Sequence, residues 1–171
     1  MPFKSSKAAL FSSQKADWPT PSDRFDEWDQ EFGFTLDVCA DHLNTTCAKY
    51  YTPVDDGLTQ PWSGMAWCNP PYGRTVGQWI AKAISEAQHN PDCRGVVLLL
   101  PARTDTRWFH DLIWDTTSSH PRTGISVRFL RGRLKFGNAT ASAPFPSMLV
   151  IVTGSAWQTL QPRTEQPQPT T

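Results

Sequence analysis

An amphipathic helix between two short apolar runs is the feature of this sequence that most restricts its fold. Residues 64–68 and 95–100 have the length of buried strands, and the second run shows no alternation of polar and apolar positions. Between them, six apolar residues recur at helical spacing: Val76, Trp79, Ile80, Ala83, Ile84 and Ala87. The pattern predicts a strand, a helix and a central parallel strand that is covered on both faces, as in α/β proteins.

The remaining segments predict how this unit is extended. Helices are expected at residues 21–31 and 106–115. Strands are expected at residues 34–39, 125–130, 133–136 and 147–153, and weakly at 48–52. Alternating strands and helices followed by consecutive strands indicate an α/β doubly wound sheet, mostly parallel, with an antiparallel hairpin at its C-terminal end. Arg131-Gly132-Arg133 is the expected tight turn of that hairpin.

Composition is consistent with one domain, which we place at residues 17–157. Hydrophobic residues make up 39% of the chain, enough for a core, and no apolar run approaches the roughly 20 residues of a membrane span. Residues 1–16 are predicted to be flexible, and residues 158–171, rich in Pro, Gln and Thr, to be disordered. Neither the cysteines nor the histidines have metal-ligand spacing, so we expect reduced thiols, no metal and a cytoplasmic location.

The charges are segregated along the chain although their formal sum is zero. Residues 17–60 carry ten acidic and two basic side chains, a net charge of −8. Residues 94–137 carry eight basic and three acidic side chains, a net charge of +5. Seven of those eight are arginines, which suit forked contacts with phosphate and guanine. The basic half therefore predicts either contact with nucleic acid or ion pairs with the acidic half.

Asn69-Pro70-Pro71-Tyr72 follows an apolar strand and precedes the amphipathic helix. Ligands of open α/β sheets bind beyond the carboxyl ends of the strands, where this tetrapeptide is expected to lie. Two prolines fix two successive φ angles and remove two donors, so the turn holds Asn69 rigidly. The Asn69 side-chain oxygen and the Pro70 carbonyl can together accept two hydrogen bonds from a planar amino group. Tyr72 offers an aromatic face for a stacked base.

This tetrapeptide resembles the catalytic motif of S-adenosylmethionine-dependent amino-methyltransferases, whose sheet is Rossmann-like. Further segments make the resemblance specific for the small phage-type DNA N6-adenine methylases, which are Dam-like. They are Trp18-Pro19-Thr20-Pro21, Leu36-Asp37-Val38-Cys39-Ala40, Tyr50-Tyr51-Thr52, Asp55-Asp56-Gly57-Leu58, Trp62, residues 99–109 and residues 129–136. The resemblance spans residues 17–153. It implies methyl transfer to adenine N6 in double-stranded DNA after base flipping, possible GATC-like sites, and a bacterial host cell if the gene is phage-encoded.

The resemblance also implies a role for individual residues. Those expected to grip the target adenine are Asn69, Pro70, Pro71 and Tyr72. Those expected to line the cofactor site are Trp18, Thr20, Pro21, Asp37, Cys39, Ala40 and either Asp55 or Asp56. Independently of the resemblance, the basic charge of the predicted hairpin makes its side chains the expected DNA contacts: Arg128, Arg131, Arg133 and Lys135. Trp18 and Trp62, which prolines flank in loops, are both expected near the site.

One departure concerns the cofactor loop. Many methyltransferases follow the first strand with a glycine-rich loop, whereas no glycine occurs here between Gly33 and Gly57. We expect the small residues Cys39 and Ala40 to take that place. Cytosine-N4 transfer, transfer to RNA or to protein glutamine, and a catalytically inactive DNA-binding relative stay open as alternatives. The sequence does not decide between monomer and dimer.

Overall fold

The computed structural model describes residues 18–137 and 139–154. The two long helices are α1, Ser22–Phe32, and α2, Val76–His89, and a π-helical turn occupies Phe109–Ile113. The strands are β1 Leu36–Asp37, β2 Gly64–Cys68, β3 Cys93–Pro101, β4 Trp114–Asp115, β5 His120–Pro121, β6 Ile125–Phe129 and β7 Ser147–Thr153. The predicted flexible residues 1–16 and the predicted disordered residues 158–171 lie outside the described residues.

Five of the strands form one sheet in the order β1-β2-β3-β7-β6. β1, β2 and β3 are parallel, and β7 runs antiparallel to both of its neighbours. The predicted α/β class with a mostly parallel sheet is therefore confirmed. Since β6 runs in the same direction as β1, β2 and β3, the carboxyl ends of all four strands meet at one edge. We call this edge the carboxyl edge.

The sheet is buried on both faces, which explains the unbroken apolar run in β3. On one face, Val96, Leu98 and Leu100 pack with α2 through Ile80 and Ala83. On the other face, Val97 and Leu99 pack with α1 and with the connection between β6 and β7. The buried residues are Phe25 and Trp28 of α1, and Leu134, Phe136 and Ala143 of the connection. β3 is parallel to β2 on one side only, because β7 lies antiparallel on its other side.

The predicted tight turn at Arg131-Gly132-Arg133 is wrong. β6 pairs with β7, and residues 130–146 join the two strands as a long connection. Residues 133–136 form no strand, although their alternation is real: Leu134 and Phe136 are buried while Arg133 and Lys135 are exposed. The two buried side chains pack on the α1 face of the sheet rather than in a new ladder. The alternating pattern therefore reflects an extended segment that packs every second side chain against the core.

Three other predicted elements are shorter than expected. The strand expected at residues 34–39 spans only Leu36–Asp37. The helix expected over residues 106–115 ends at Ile113, because Trp114–Asp115 pairs with His120–Pro121 in a separate antiparallel hairpin. The weak strand expected at residues 48–52 is reduced to a single parallel bridge between Asp37 and Tyr50. Within the described residues, no helix combines the length and the hydropathy that crossing a membrane requires.

Candidate active site

A cleft of about 330 Å³ opens at the carboxyl edge between the ends of β1 and β2. Two residues expected in the cofactor site do not line it, Pro21 and Asp55, and neither does Tyr72 of the tetrapeptide. Nine of the residues that the sequence predicts for the site do line it: Trp18, Thr20, Asp37, Cys39, Ala40, Asp56, Asn69, Pro70 and Pro71. The fold therefore brings most of the predicted cofactor and catalytic residues to one cleft.

Asn69 carries the most informative hydrogen bonds of the cleft. Its Nδ2 donates to the Trp18 carbonyl at 2.6 Å and to the Thr20 Oγ1 at 3.0 Å. A carbonyl can only accept, so the nitrogen of the amide must face Trp18 and the oxygen must face away. The Asn69 Oδ1 is buried and has no hydrogen-bond partner among the described residues. The cleft thus contains an acceptor oxygen that is held in place and left unpaired.

The segment that accepts from Asn69 is itself fixed to the connection between β6 and β7. The Gly137 amide donates to the Pro19 carbonyl at 2.8 Å. The Trp18 ring makes edge contacts with Phe136 and Phe145, at centroid distances of 5.3 and 5.2 Å. Three separate parts of the chain therefore define the position of the Asn69 amide.

Pro70, Pro71 and Tyr72 continue the strand end along the cleft. Pro70 is buried, and its carbonyl accepts no hydrogen bond from any described residue. The Tyr72 hydroxyl donates to the Leu99 carbonyl at 3.1 Å, and its ring makes edge contacts with Phe136 and Phe145. Burial raises the pKa of Tyr72 well above its usual range. Tyr72 is consequently a neutral, fixed ring behind the cleft.

Asp37, at the end of β1, is only 3% exposed, yet both of its carboxylate oxygens are occupied. Oδ1 accepts from the Cys39 amide at 3.2 Å. Oδ2 accepts from the Thr46 amide at 3.2 Å and from its hydroxyl at 2.8 Å. Burial raises the pKa of Asp37, and the hydrogen bonds from Thr46 and Cys39 oppose that rise. The carboxylate holds both ends of the loop that follows β1.

Most backbone amides of the same loop donate hydrogen bonds, either within the loop or to neighbouring backbone carbonyls. Asp41 Oδ1 accepts from the amides of Leu43 and Asn44, and the Asn44 side chain accepts from the Asp41 amide. The amides of Val38 and Ala40 donate to the carbonyls of Trp67 and Tyr51. The structure therefore replaces the missing glycine-rich loop by a segment that carboxylates and neighbouring strands hold, with Cys39 and Ala40 on the cleft wall.

The structure separates the two aspartates that the sequence left as alternatives. Asp55 Oδ2 accepts from the Thr52 amide and hydroxyl, at 2.8 and 2.7 Å, and these bonds lower the pKa of Asp55. Asp56 lines the cleft instead. Gly57, which the sequence analysis did not single out, also lines it, and an added Cβ would stand 2.1 Å from the Val38 carbonyl oxygen. The sequence signal that could have identified Gly57 as a cleft residue is its position directly after the two aspartates.

The cleft is acidic. Asp37, Asp41 and Asp56 line it, and none of its lining residues is lysine or arginine. Among the described residues, no group of three or more His, Cys, Asp or Glu is arranged to hold a metal ion. Burial raises the pKa of the neighbouring Cys68 thiol well above its usual range, so this residue is not a thiolate nucleophile. The site is suited to a positively charged organic ligand.

The four basic residues predicted to contact DNA fall into two groups. Arg128 makes a forked ion pair with Glu31, with both N–O distances 2.7 Å, which is the internal pairing that the sequence left open. Arg131, Arg133 and Lys135 are exposed, and within residues 18–137 and 139–154 none of them makes an ion pair. We call residues 131–135 the basic segment.

Of the two tryptophans expected near the site, only Trp18 lines the cleft. Trp62 is fully buried, and its indole nitrogen donates to the Gly57 carbonyl at 2.8 Å. Trp62 therefore lies in the core directly beneath the cleft, bonded to a residue that lines it, and does not itself line the cleft.

Comparisons with known proteins agree with this geometry. The family described as DNA N-6-adenine-methyltransferase (Dam) matches residues 7–161. A DNA N-6-adenine-methyltransferase of Haemophilus phage HP1 (strain HP1c1) is 32% identical over 149 residues, which cover 85% of this chain and 83% of the relative. A DNA N-6-adenine-methyltransferase of Escherichia phage T1 is 33% identical over 95 residues, 54% of this chain and 38% of the relative.

Proposed function

Because the chain belongs to the Dam family and is an adenine-specific DNA methyltransferase, we propose that it methylates adenine N6 in double-stranded DNA with S-adenosylmethionine as donor. The observation that carries the site assignment is that Asn69 lines the cleft while its Nδ2 is bonded and its buried Oδ1 is unpaired among the described residues. The proposal includes a Rossmann-like identity for the sheet, which is supported by the position of the cleft at the carboxyl edge of the parallel strands.

The cleft residues fit S-adenosylmethionine. Asp37, Asp41 and Asp56 supply negative charge, and Cys39 and Ala40 place only small side chains on the cleft wall. A cleft of about 330 Å³ lies within the range of small-molecule sites. When bound, the cofactor supplies a methyl group on a positively charged sulfur. The predicted cofactor residues Pro21 and Asp55 would then support the wall from behind rather than touch the ligand.

Asn69 and Pro70 would activate the amino group of adenine. Its lone pair is delocalised into the ring, so the amine is a poor nucleophile until the nitrogen becomes tetrahedral. The Asn69 Oδ1 and the Pro70 carbonyl, which accept no hydrogen bond from any described residue, are proposed to accept its two hydrogens and so to localise the lone pair. Fixed acceptors act without reorganisation during the reaction. The proton that the amino group loses would pass to water.

A buried acceptor in a cleft requires that the target adenine leave the duplex. Flipping costs a few kcal/mol, which stacking would offset in part. Tyr72 is proposed as the stacking partner. Its ring packs on Phe136 and Phe145 and does not line the cleft, so this role requires the ring to become accessible to the base when DNA binds. Cleft shape does not identify the flanking bases, so GATC-like recognition stays a proposal to be tested on DNA.

The basic segment is the proposed contact with the DNA backbone. Leu134 and Phe136 anchor it to the core, and Gly137 joins it to the cleft through the Pro19 carbonyl. Arg131, Arg133 and Lys135 are therefore held beside the cleft while their side chains stay exposed. Arg128 would join them only if its ion pair with Glu31 opened.

The test uses the full chain, S-adenosylmethionine with a labelled methyl group, and duplex DNA. Nucleosides from the product are separated by mass spectrometry, with RNA and a protein substrate in parallel reactions. The proposal expects label in N6-methyladenine only, and methylation-sensitive nucleases then report on GATC. Label in N4-methylcytosine, RNA or protein glutamine would support the corresponding alternative.

The loop after β1 holds itself with carboxylate and amide bonds and contains no glycine before Gly57, so cofactor binding is tested separately. Calorimetric titration should show binding of S-adenosylmethionine, and a chain that binds DNA without the cofactor would contradict the proposed donor. For the DNA contact, Arg133→Ala and Lys135→Ala should each reduce the salt slope of DNA binding by about 1. Arg24→Ala, on the acidic helix α1, is the matched control and should leave the slope unchanged.

A further inference from the structure

Thr20 makes a contact that its predicted role in the cofactor site does not explain. Its hydroxyl oxygen accepts the second N–H of the Asn69 amide at 3.0 Å, beside the bond from the same nitrogen to the Trp18 carbonyl. We propose that Thr20 is a positioning residue, which together with the Trp18 carbonyl fixes the polarity of Asn69 so that Oδ1 is presented to the substrate. This inference rests on the proposed role of Asn69.

The polarity of an asparagine amide is not fixed by its shape. The oxygen and the NH₂ group are nearly isosteric, so the hydrogen-bond network decides which of them points where. In the flipped orientation the Asn69 oxygen would face the Trp18 carbonyl and two acceptors would repel each other. The Thr20 hydroxyl accepts the remaining N–H, so no polar hydrogen of this amide is left over. Both N–H groups of the Asn69 side chain are therefore hydrogen-bonded, and only its Oδ1 is without a partner among the described residues.

The two accepting atoms are themselves held in place. The Pro19 carbonyl, between Trp18 and Thr20, accepts from the Gly137 amide at 2.8 Å. The Trp18 ring is wedged edge-on against Phe136 and Phe145. Because this support comes from the connection between β6 and β7, the acceptors keep their position without help from a ligand. Such support of a reacting group by packed neighbours is what preorganisation requires.

The consequence is an effect on rate rather than on affinity. A correctly oriented Oδ1 accepts from the amino group of adenine, whereas a flipped amide presents N–H groups to N–H groups. The Thr20 hydroxyl does not itself touch the reacting nitrogen in this scheme, because it is occupied by Asn69. Removing this hydroxyl should therefore lower the rate of methyl transfer and leave the affinities for cofactor and DNA unchanged.

Thr20→Val tests this directly, because valine keeps the shape and removes the acceptor. Single-turnover methyl transfer is measured on duplex DNA, and the dissociation constants for S-adenosylmethionine and DNA are measured separately. We expect a rate about 10-fold lower, the size of one hydrogen bond, with both constants unchanged. Thr20→Ser, which keeps the hydroxyl, should restore most of the rate.

Thr35→Val is the matched control. The Thr35 hydroxyl bonds to the Met65 backbone at the start of β1, away from the cleft. This variant should lower the free energy of unfolding without changing the single-turnover rate. A rate loss in Thr35→Val equal to that in Thr20→Val would mean that any lost threonine bond slows the enzyme, and it would overturn the proposal.

The pH profile of Asn69→Asp gives a readout that a merely structural threonine would not move. An ionised carboxylate has no hydrogen for the Trp18 carbonyl, whereas the protonated acid can donate to it and still offer an oxygen to the substrate. The rate of Asn69→Asp relative to wild type should therefore rise as pH falls. The carboxylates of Asp37, Asp41 and Asp56 line the same cleft, so the ratio to wild type is taken at each pH.

The possible results separate the two proposals. A normal rate in Thr20→Val, or a loss found only in the dissociation constant for S-adenosylmethionine, would overturn the positioning role. A ratio for Asn69→Asp that stays flat or rises with pH would overturn the fixed polarity. A normal rate in Asn69→Ala would contradict the proposed role of Asn69, on which this inference rests, whereas a wild-type chain that transfers no methyl group to adenine would contradict the proposed function itself.

Discussion

The loops that follow β1 and β2 each start from a polar side chain at the carboxyl edge, and they use it in opposite ways. Asp37, at the end of β1, accepts three hydrogen bonds from Cys39 and Thr46. Asn69, directly after β2, keeps its Oδ1 buried and unpaired within the described residues. Both residues line the same cleft. The Asp37 carboxylate holds a loop in place, whereas Asn69 is itself held in place with its side-chain oxygen unpaired.

Energetics explain why this difference separates a supporting residue from a reacting one. A buried acceptor without a partner costs about 1–3 kcal/mol, so native proteins rarely leave one. The loss at Asn69 is recovered when a donor arrives, which favours a ligand with an N–H group. Asp37 has no such loss to recover, because its oxygens are already occupied. The unpaired atom, rather than the charged one, is where substrate chemistry is expected.

Asn69→Ala should produce the largest effect. Without the side-chain acceptor the methyl-transfer rate should fall by about 10²–10³-fold, the loss typical of removing one preorganised hydrogen-bonding group. Binding of S-adenosylmethionine, measured by calorimetry, should be retained. The folded protein should lose little stability, since the substitution also removes an unpaired oxygen.

Asn90→Ala is the matched control for this comparison. Asn90 Nδ2 also donates to a tryptophan carbonyl, that of Trp62, and to Glu86. It lies at the end of α2, outside the cleft. This variant should lose stability and keep its rate. Equal rate losses in both variants would break the distinction between an available amide and a structural one.

Asp37→Ala should have the reverse profile. Removing the carboxylate leaves the Cys39 amide and both Thr46 donors without their acceptor, which should lower the free energy of unfolding by about 2–3 kcal/mol. The cofactor should bind more weakly, because the loop that forms one wall of the cleft loosens. Urea unfolding and calorimetric titration measure the two effects. A variant that keeps its stability and loses only its rate would make Asp37 a reacting residue.

Gly57→Ala tests the same wall with a smaller change. The added Cβ would stand 2.1 Å from the Val38 carbonyl oxygen and 3.2 Å from the Trp79 ring, so the backbone must shift. We expect a loss of about 1–3 kcal/mol in the free energy of unfolding, as for overpacking in a core, and weaker cofactor binding. Gly73→Ala is the matched control, because nothing lies within 4 Å of its Cβ position. Equal losses of unfolding free energy in both variants would mean that the close contact between Gly57 and the Val38 carbonyl has no effect on stability.

Sequence patterns predicted the elements that periodicity and burial decide locally. β2 and β7 begin and end where expected, and α2 begins at Val76 and ends two residues after Ala87, the last predicted apolar position. The turn at Arg131-Gly132-Arg133 was wrong, because alternation in residues 133–136 does not reveal whether the partner is a strand or a helix face. Asn69 could be found as a motif. Its unpaired oxygen could not, because it depends on Trp18, about 50 residues away.

The pH dependence of Asp37 should be the smallest effect, because its hydrogen bonds oppose the cost of its burial. The pKa of Asp37 is raised above its ordinary value of 3.8, with burial as the main cause. The folded state therefore holds this proton more tightly than the unfolded chain. The contribution of Asp37 to stability should decline as pH rises from 3.8 through the raised pKa, and stay constant above it.

Asp37→Asn does not titrate at this position, so it isolates the contribution. The difference in unfolding free energy between wild type and Asp37→Asn should favour wild type most in acid and shrink as pH rises. Other groups, including Glu31, titrate alike in both proteins and cancel. A difference that grows with pH would mean that the bonds from Cys39 and Thr46 outweigh burial. Asp37 would then be stabilised as a carboxylate, and the contrast with the unpaired Asn69 would be sharper still.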